Sequence, residues 1–139
     1  MERVLVLASH GKFASGIYSS LELICGSKEN IITLDCYLTE GFDLSKAVAE
    51  LMSRNRDKEI VVVTDLFGGS VNNEFLTYIK RPNYYLVAGM NLPFLVEFAT
   101  QYECTKSVAE LIEQTLNTSK EVIQFCNQTF EQELAEEEF

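Results

Sequence analysis

Tryptophan is absent from the 139 residues, histidine occurs once and proline twice. Basic residues are scarce too: 11 Lys and Arg stand against 21 Asp and Glu, a formal net charge of −10. A polyanion of this size repels phosphate backbones and anionic lipid, which argues against nucleic acid and membrane surfaces as direct partners. No apolar run approaches the ~20 residues needed to span a bilayer, so direct membrane insertion is not expected. The cysteines, Cys25, Cys36, Cys104 and Cys126, contain no Cys-x-x-Cys pair, and beside one histidine they fit no zinc framework. We therefore expect no metal and no cofactor, with the cysteines acting as small apolar fillers in a reducing compartment. Met1-Glu2-Arg3 runs straight into Val4 without a small-residue cleavage site, so the expected location is cytoplasmic.

What is present is an ordinary globular composition, 47% hydrophobic and 23% charged, in a chain of single-domain length. Val4-Leu5-Val6-Leu7-Ala8 and Ile60-Val61-Val62-Val63-Thr64 are unbroken apolar or β-branched runs, the pattern of strands buried on both faces of a parallel sheet. Ile31 to Cys36 and Tyr84 to Ala88 read as two further strands. Between them Phe13, Ile17, Leu21 and Ile24 recur at helical spacing before Gly26, and Leu44, Ala47, Val48, Leu51 and Met52 follow a capping Asp43. A helix starting near Ser70 carries Phe75, Leu76 and Ile79, and Pro93 opens one holding Phe94, Leu95 and Phe98. Val108, Leu111, Ile112 and Thr115 mark a last helix, broken at Asn117-Thr118-Ser119, and Glu121 to Cys126 reads as a fifth strand. The expected fold is doubly wound α/β, a mostly parallel four-stranded sheet with helices on both faces. Residues 1–130 form one domain in this reading, and the glutamate-rich 131–139 a frayed, solvated tail.

Three strands end in small polar corners: Ser9-His10-Gly11, Asp65 to Asn73, and Gly89 to Pro93. In a parallel sheet all three lie on one rim, where open α/β folds bind ligands. The lone histidine is thereby placed at the carboxyl end of a central strand. Gly68-Gly69 permits a backbone conformation closed to other residues, and Ser70 opens a helix whose amino end favours an anion. Asp65 is positioned to hold one imidazole nitrogen of His10, fixing the tautomer and leaving the other as a nucleophile. Helix amino ends near Gly11 and Ser70 would hold a phosphoryl group beside it, an arrangement suited to a transient phosphohistidine. Each residue has a plainer reading, Asp65 as a turn cap, Gly68-Gly69 as a tight turn, Ser70 as an N-cap; only their joint placement at strand ends favours chemistry.

Val6-Leu7-Ala8-Ser9-His10-Gly11, Asp65-Leu66-Phe67-Gly68-Gly69-Ser70 and Ala88-Gly89-Met90-Asn91-Leu92-Pro93 resemble the three signature segments of the mannose-family enzyme IIA domains of the bacterial phosphoenolpyruvate-dependent sugar phosphotransferase system. The resemblance implies that His10 accepts a phosphoryl group from the phosphocarrier HPr and passes it to a IIB component. The membrane components IIC and IID would then take part only indirectly. It further implies that Asp65 orients His10, that Ser70 with Gly68, Gly69 and Gly11 binds the phosphoryl group, and that the protein is a homodimer exchanging an antiparallel C-terminal strand, here Glu121 to Cys126. Val71 stands where the family usually has proline.

Three alternatives stay open on the residues. One is the phosphotransfer subunit of a dihydroxyacetone kinase, which the Gly-Gly-Ser loop disfavours. Another is a non-catalytic flavodoxin-like regulatory or ligand-binding module, for which Ser9-His10-Gly11-Lys12-Phe13 is a poor phosphate loop. The last is an aspartate-phosphorylated receiver, which lacks the acidic residues that would follow its first strand.

Overall fold

The computed structural model describes residues 1–137. Strands β1 (Arg3–His10), β2 (Ile31–Cys36), β3 (Glu59–Thr64) and β4 (Tyr84–Ala88) form one wholly parallel sheet in the order β2-β1-β3-β4. The two apolar runs occupy its centre. Val4 to Ser9 of β1 and Ile60 to Thr64 of β3 are buried, whereas β2 at one edge is only half-buried until Cys36.

Strand alternation divides the core in two. Leu5, Leu7, Val61 and Val63 face a layer made by α1 (Phe13–Cys25), α4 (Leu92–Gln101) and α5 (Val108–Ser119). Val4, Val6, Ala8, Ile60 and Val62 face α2 (Leu44–Arg54) and α3 (Ser70–Leu76). The chain is therefore doubly wound, as its alternating pattern predicts. Two helix starts also follow the sequence: Asp43 accepts a hydrogen bond from the Lys46 N–H (3.1 Å) and Asn91 from the Phe94 N–H (2.9 Å), the latter just ahead of Pro93. No helix among the described residues is long and apolar enough to cross a membrane.

Four expectations need correction. Helix α1 buries Ala14 and Leu21 and packs Ile17, Tyr18 and Cys25 on the core, so Phe13 (47% exposed) and Ile24 (57%) fall outside the buried face. Helix α3 stops at Leu76 and buries Val71, Asn72 and Phe75; Leu76 and Ile79 are exposed, because the chain tightens into three-residue turn bonds from Thr77 onward. Helix α5 continues through Asn117-Thr118-Ser119. There the Thr115 and Ser119 hydroxyls donate to the carbonyls four residues back, both at 2.7 Å, and so are satisfied inside the helix.

The fourth concerns Glu121 to Cys126, which forms no strand. The single chain offers this segment no ladder partner, and Cys126 already begins α6 (Cys126–Glu137). The acidic stretch from Glu131 enters this helix, none of whose residues is buried, and Glu138 and Phe139 lie outside the described residues.

Candidate active site

β1 leaves the sheet through a turn pinned from below. The buried Ser9 hydroxyl accepts the Ala14 N–H (2.7 Å) and donates to the Gly11 carbonyl (3.2 Å). Gly11 adopts φ +58°, a conformation costly for a residue with a Cβ, and its N–H donates to the Cys36 carbonyl at 2.8 Å. His10 thus ends on the rim between two fixed neighbours, with its side chain 42% exposed.

β3 lies beside β1 and delivers Asp65 to the same rim. One carboxylate oxygen, Oδ2, accepts both the His10 backbone N–H and its ring Nδ1, each at 2.8 Å. The other, Oδ1, accepts the Leu66 N–H at 2.9 Å. Burial alone would push the Asp65 carboxyl up, its side chain being only 11% exposed. The His10 backbone N–H, the imidazole hydrogen bond and charge, and the Leu66 N–H together outweigh that and hold it below the ordinary carboxylate value. An ionised carboxylate only accepts hydrogen bonds, so Nδ1 carries a proton in this contact, and in the neutral ring the lone pair lies on Nε2.

The loop after Asp65 supplies the other side of the site. Gly68 takes φ +77°, and Gly69, in extended backbone, caps α3. A Cβ placed on Gly69 would lie 3.4 Å from His10 Cε1, in van der Waals contact, so this glycine keeps the space beside the imidazole free of side chains. Ser70 follows and sets its Oγ 3.3 Å from Nε2. Behind the loop, the buried Thr64 hydroxyl donates to Asn72 Oδ1 at 2.8 Å, tying the end of β3 to the first turn of α3. Val71, in the position where proline was the expected residue, is fully buried in the α2–α3 core.

His10, Asp65, Gly68, Gly69 and Ser70 are thus brought together. Gly11 shapes the turn, but its N–H is already committed to Cys36. The Gly89–Pro93 corner stands apart: Gly89 and Met90 donate to the Thr64 carbonyl, both at 3.0 Å, and among the described residues no hydrogen bond links the corner to His10. Among the described residues no group of three or more His, Cys, Asp or Glu could hold a metal ion.

One residue of the site was not foreseen from the sequence. Tyr37 stacks on the His10 ring, centroids 5.5 Å apart and planes at 29°, and its hydroxyl lies 2.8 Å from Ser70 Oγ. Its backbone is left-handed, φ +64°, a strain of about 1–3 kcal/mol for a side chain of this size. The signal was available in the parallel register. Cys36 pairs with His10, so the next residue along β2 must emerge on the rim beside it. Cys36 itself is buried, and burial first, then the charges of Asp65 and Asp35, push its thiol up to about 11.

The chemistry available to this set is nucleophilic. Nε2 has a free electron pair on a ring fixed by a carboxylate, a hydroxyl beside it, and open solvent in front. The loops that carry the site also expose apolar side chains: Leu66 is 58% exposed, Phe67 88% and Leu38 50%.

Comparison with known proteins bears on this geometry. The family model described as "EIIA-man: PTS system fructose IIA component" matches residues 4–116. A Klebsiella pneumoniae chain provisionally assigned as a phosphoenolpyruvate-dependent sugar phosphotransferase system permease has 41% identity and a TM-score of 0.88, over 94% of this chain and 95% of its own. The phosphotransferase system component EIIA from Streptococcus agalactiae has 28% identity and a TM-score of 0.77, over 90% and 98%. The mannose-specific EIIAB component of Escherichia coli K12 is 27% identical over 124 residues, 87% of this chain; the match spans only 38% of that longer protein.

Proposed function

The chain belongs to the EIIA-man family of phosphotransferase system IIA components, and from that premise we propose that Nε2 of His10 accepts a phosphoryl group from HPr and gives it to a histidine of a IIB component. The carrying observation is the 2.8 Å contact of Asp65 Oδ2 with Nδ1, which leaves Nε2 as the only ring nitrogen with an available lone pair. In each transfer one P–N bond breaks as another forms. The donor imidazole recovers its electron pair, and the Nδ1 proton of His10 stays where it is. The phosphorylated ring takes on positive character, which the Asp65 carboxylate offsets at hydrogen-bond distance.

Ser70 Oγ is placed to donate to a phosphoryl oxygen once Nε2 is bonded to phosphorus, and Gly68-Gly69 leaves room for the group. Phosphoryl transfer asks for little more than such positioning. The exposed Leu66, Phe67 and Leu38 support a protein as donor and acceptor, since apolar groups of this size around a reactive atom mark a docking surface. We extend the proposal to a homodimer in which a second copy covers Ile123 and Phe125, 96% and 63% exposed, and only there does an exchanged strand find a ladder.

The test is a relay. Label from phosphoenolpyruvate, passed through enzyme I and HPr, should load the protein and leave it when a IIB domain is added. Label that stays on the protein with IIB, and leaves with a dihydroxyacetone kinase instead, would assign it to the other relay.

A further inference from the structure

Tyr37 is tied to the reactive nitrogen by a chain of hydrogen bonds whose direction the Asp65 carboxylate dictates. With the Nδ1 proton donated to Oδ2, Nε2 of the neutral ring accepts, and Ser70 Oγ–H at 3.3 Å is its donor. With its one proton committed, Ser70 Oγ can only accept from the Tyr37 hydroxyl at 2.8 Å. In the neutral ring the order Tyr37 O–H to Ser70 O–H to Nε2 gives every group a partner. Among the described residues Ser70 Oγ has no other partner, so Tyr37 sets where that hydroxyl points.

The aromatic ring is itself held. Phe42 packs edge-on against it, centroids 5.3 Å apart at 67°, while its face lies on the His10 imidazole. A left-handed backbone at a tyrosine, where glycine would sit without strain, is a cost that the side chain's contacts must offset.

We propose, resting on the phosphocarrier reading, that Tyr37 is a positioning residue of the transfer site. Its hydroxyl orients Ser70 Oγ–H onto the Nε2 lone pair in the unloaded site, and keeps that donor polarised toward the phosphoryl oxygens in the loaded one. The transfer replaces the Ser70 hydrogen bond to Nε2 by the P–Nε2 bond. The serine proton swings to a phosphoryl oxygen, the tyrosine proton continues to point at Ser70 Oγ, and no proton enters or leaves. Such chained hydroxyls strengthen each other, so Ser70 without Tyr37 is a weaker and less oriented donor.

The experiment is a double-mutant cycle with a spectroscopic arm. Tyr37→Phe keeps the stacking ring and removes only the hydroxyl. Its expected effect is a 3- to 10-fold slower loading of His10 from phospho-HPr at saturation, with the HPr concentration for half-maximal rate unchanged, the size of one lost neutral hydrogen bond. In a Ser70→Ala background the same substitution should change the rate less than 2-fold, because the group it acts through is gone. In unphosphorylated protein, Tyr37→Phe should move the ¹⁵N resonance of His10 Nε2 and leave that of Nδ1 in place. Equal slowing in both backgrounds, or an unmoved Nε2 resonance, would overturn the proposal. A wild type that takes no label from phospho-HPr, but whose Nε2 resonance answers to Tyr37→Phe, would sink the phosphocarrier reading and leave the hydroxyl relay standing.

Discussion

Replacing Asp65 by asparagine tests the electrostatic half of the site, and its size can be worked from the contacts. Asparagine offers one oxygen where aspartate offers two. With that oxygen toward His10, the amide NH₂ meets the Leu66 N–H, donor against donor, in place of a 2.9 Å hydrogen bond. With the amide reversed, its NH₂ meets the His10 backbone N–H and favours the tautomer with Nε2 protonated, which removes the nucleophile. Hydrogen bonds to a charged group contribute about 1.5–3 kcal/mol each, and the 42% exposure of the His10 side chain argues for the lower part of that range. Taking about 1.5–2 kcal/mol at the transition state, loading of His10 should slow about 10- to 30-fold in Asp65→Asn. The pH dependence has a definite sign. The folded-state pKa of Asp65 is depressed, so its contribution to stability is full above the ordinary carboxylate range and is lost as the pH falls through the folded value. Urea unfolding of wild type and Asp65→Asn should therefore differ most near neutrality and converge in acid. A loading rate within 2-fold of wild type, or a stability gap that widens as the pH falls, would mean that the Asp65 carboxylate does not act on His10 in this way.

Two further consequences concern the loop and the buried thiol. Gly68→Ala should destabilise the fold by about 1–2 kcal/mol in urea titrations, since φ +77° is strained for any residue with a Cβ. Gly69→Ala should leave stability nearly unchanged and slow His10 loading, because its methyl would rest 3.4 Å from the ring carbon beside Nε2. Among the cysteines, the exposed Cys104 and Cys126 should react with a thiol reagent at pH 8 in the native protein. Cys36, with its pKa pushed up to about 11, should react only on unfolding.

The parallel sheet was legible because its central strands are apolar on both faces, a pattern that few other elements produce. The pairing of His10 with Asp65 was legible for a related reason: parallel strands put all their carboxyl ends on one rim, and only a few polar residues fall there. Helix faces were harder to read. In α1 the series Phe13, Ile17, Leu21, Ile24 and the series Ala14, Ile17, Leu21, Cys25 share Ile17 and Leu21 and both step by three or four, and the bulkier residues draw the eye although the sheet accepts the smaller ones. The C-terminal segment shows a different difficulty. The short apolar and β-branched stretch of Val122, Ile123 and Phe125 meets a local criterion for a strand, but a strand exists only where another backbone pairs with it. Tyr37 was missed because nothing in its own neighbourhood is distinctive; it becomes visible once Cys36 is paired with His10.

Every step of the proposed relay passes through a bond between phosphorus and Nε2 of His10. That bond is tested most directly by ¹⁵N–³¹P correlation spectroscopy on protein loaded from phospho-HPr, with His10→Ala as the control. The expected result is an acid-labile, base-stable phosphate coupled to Nε2 and no label on His10→Ala. Coupling to Nδ1, or label that persists on His10→Ala, would contradict it.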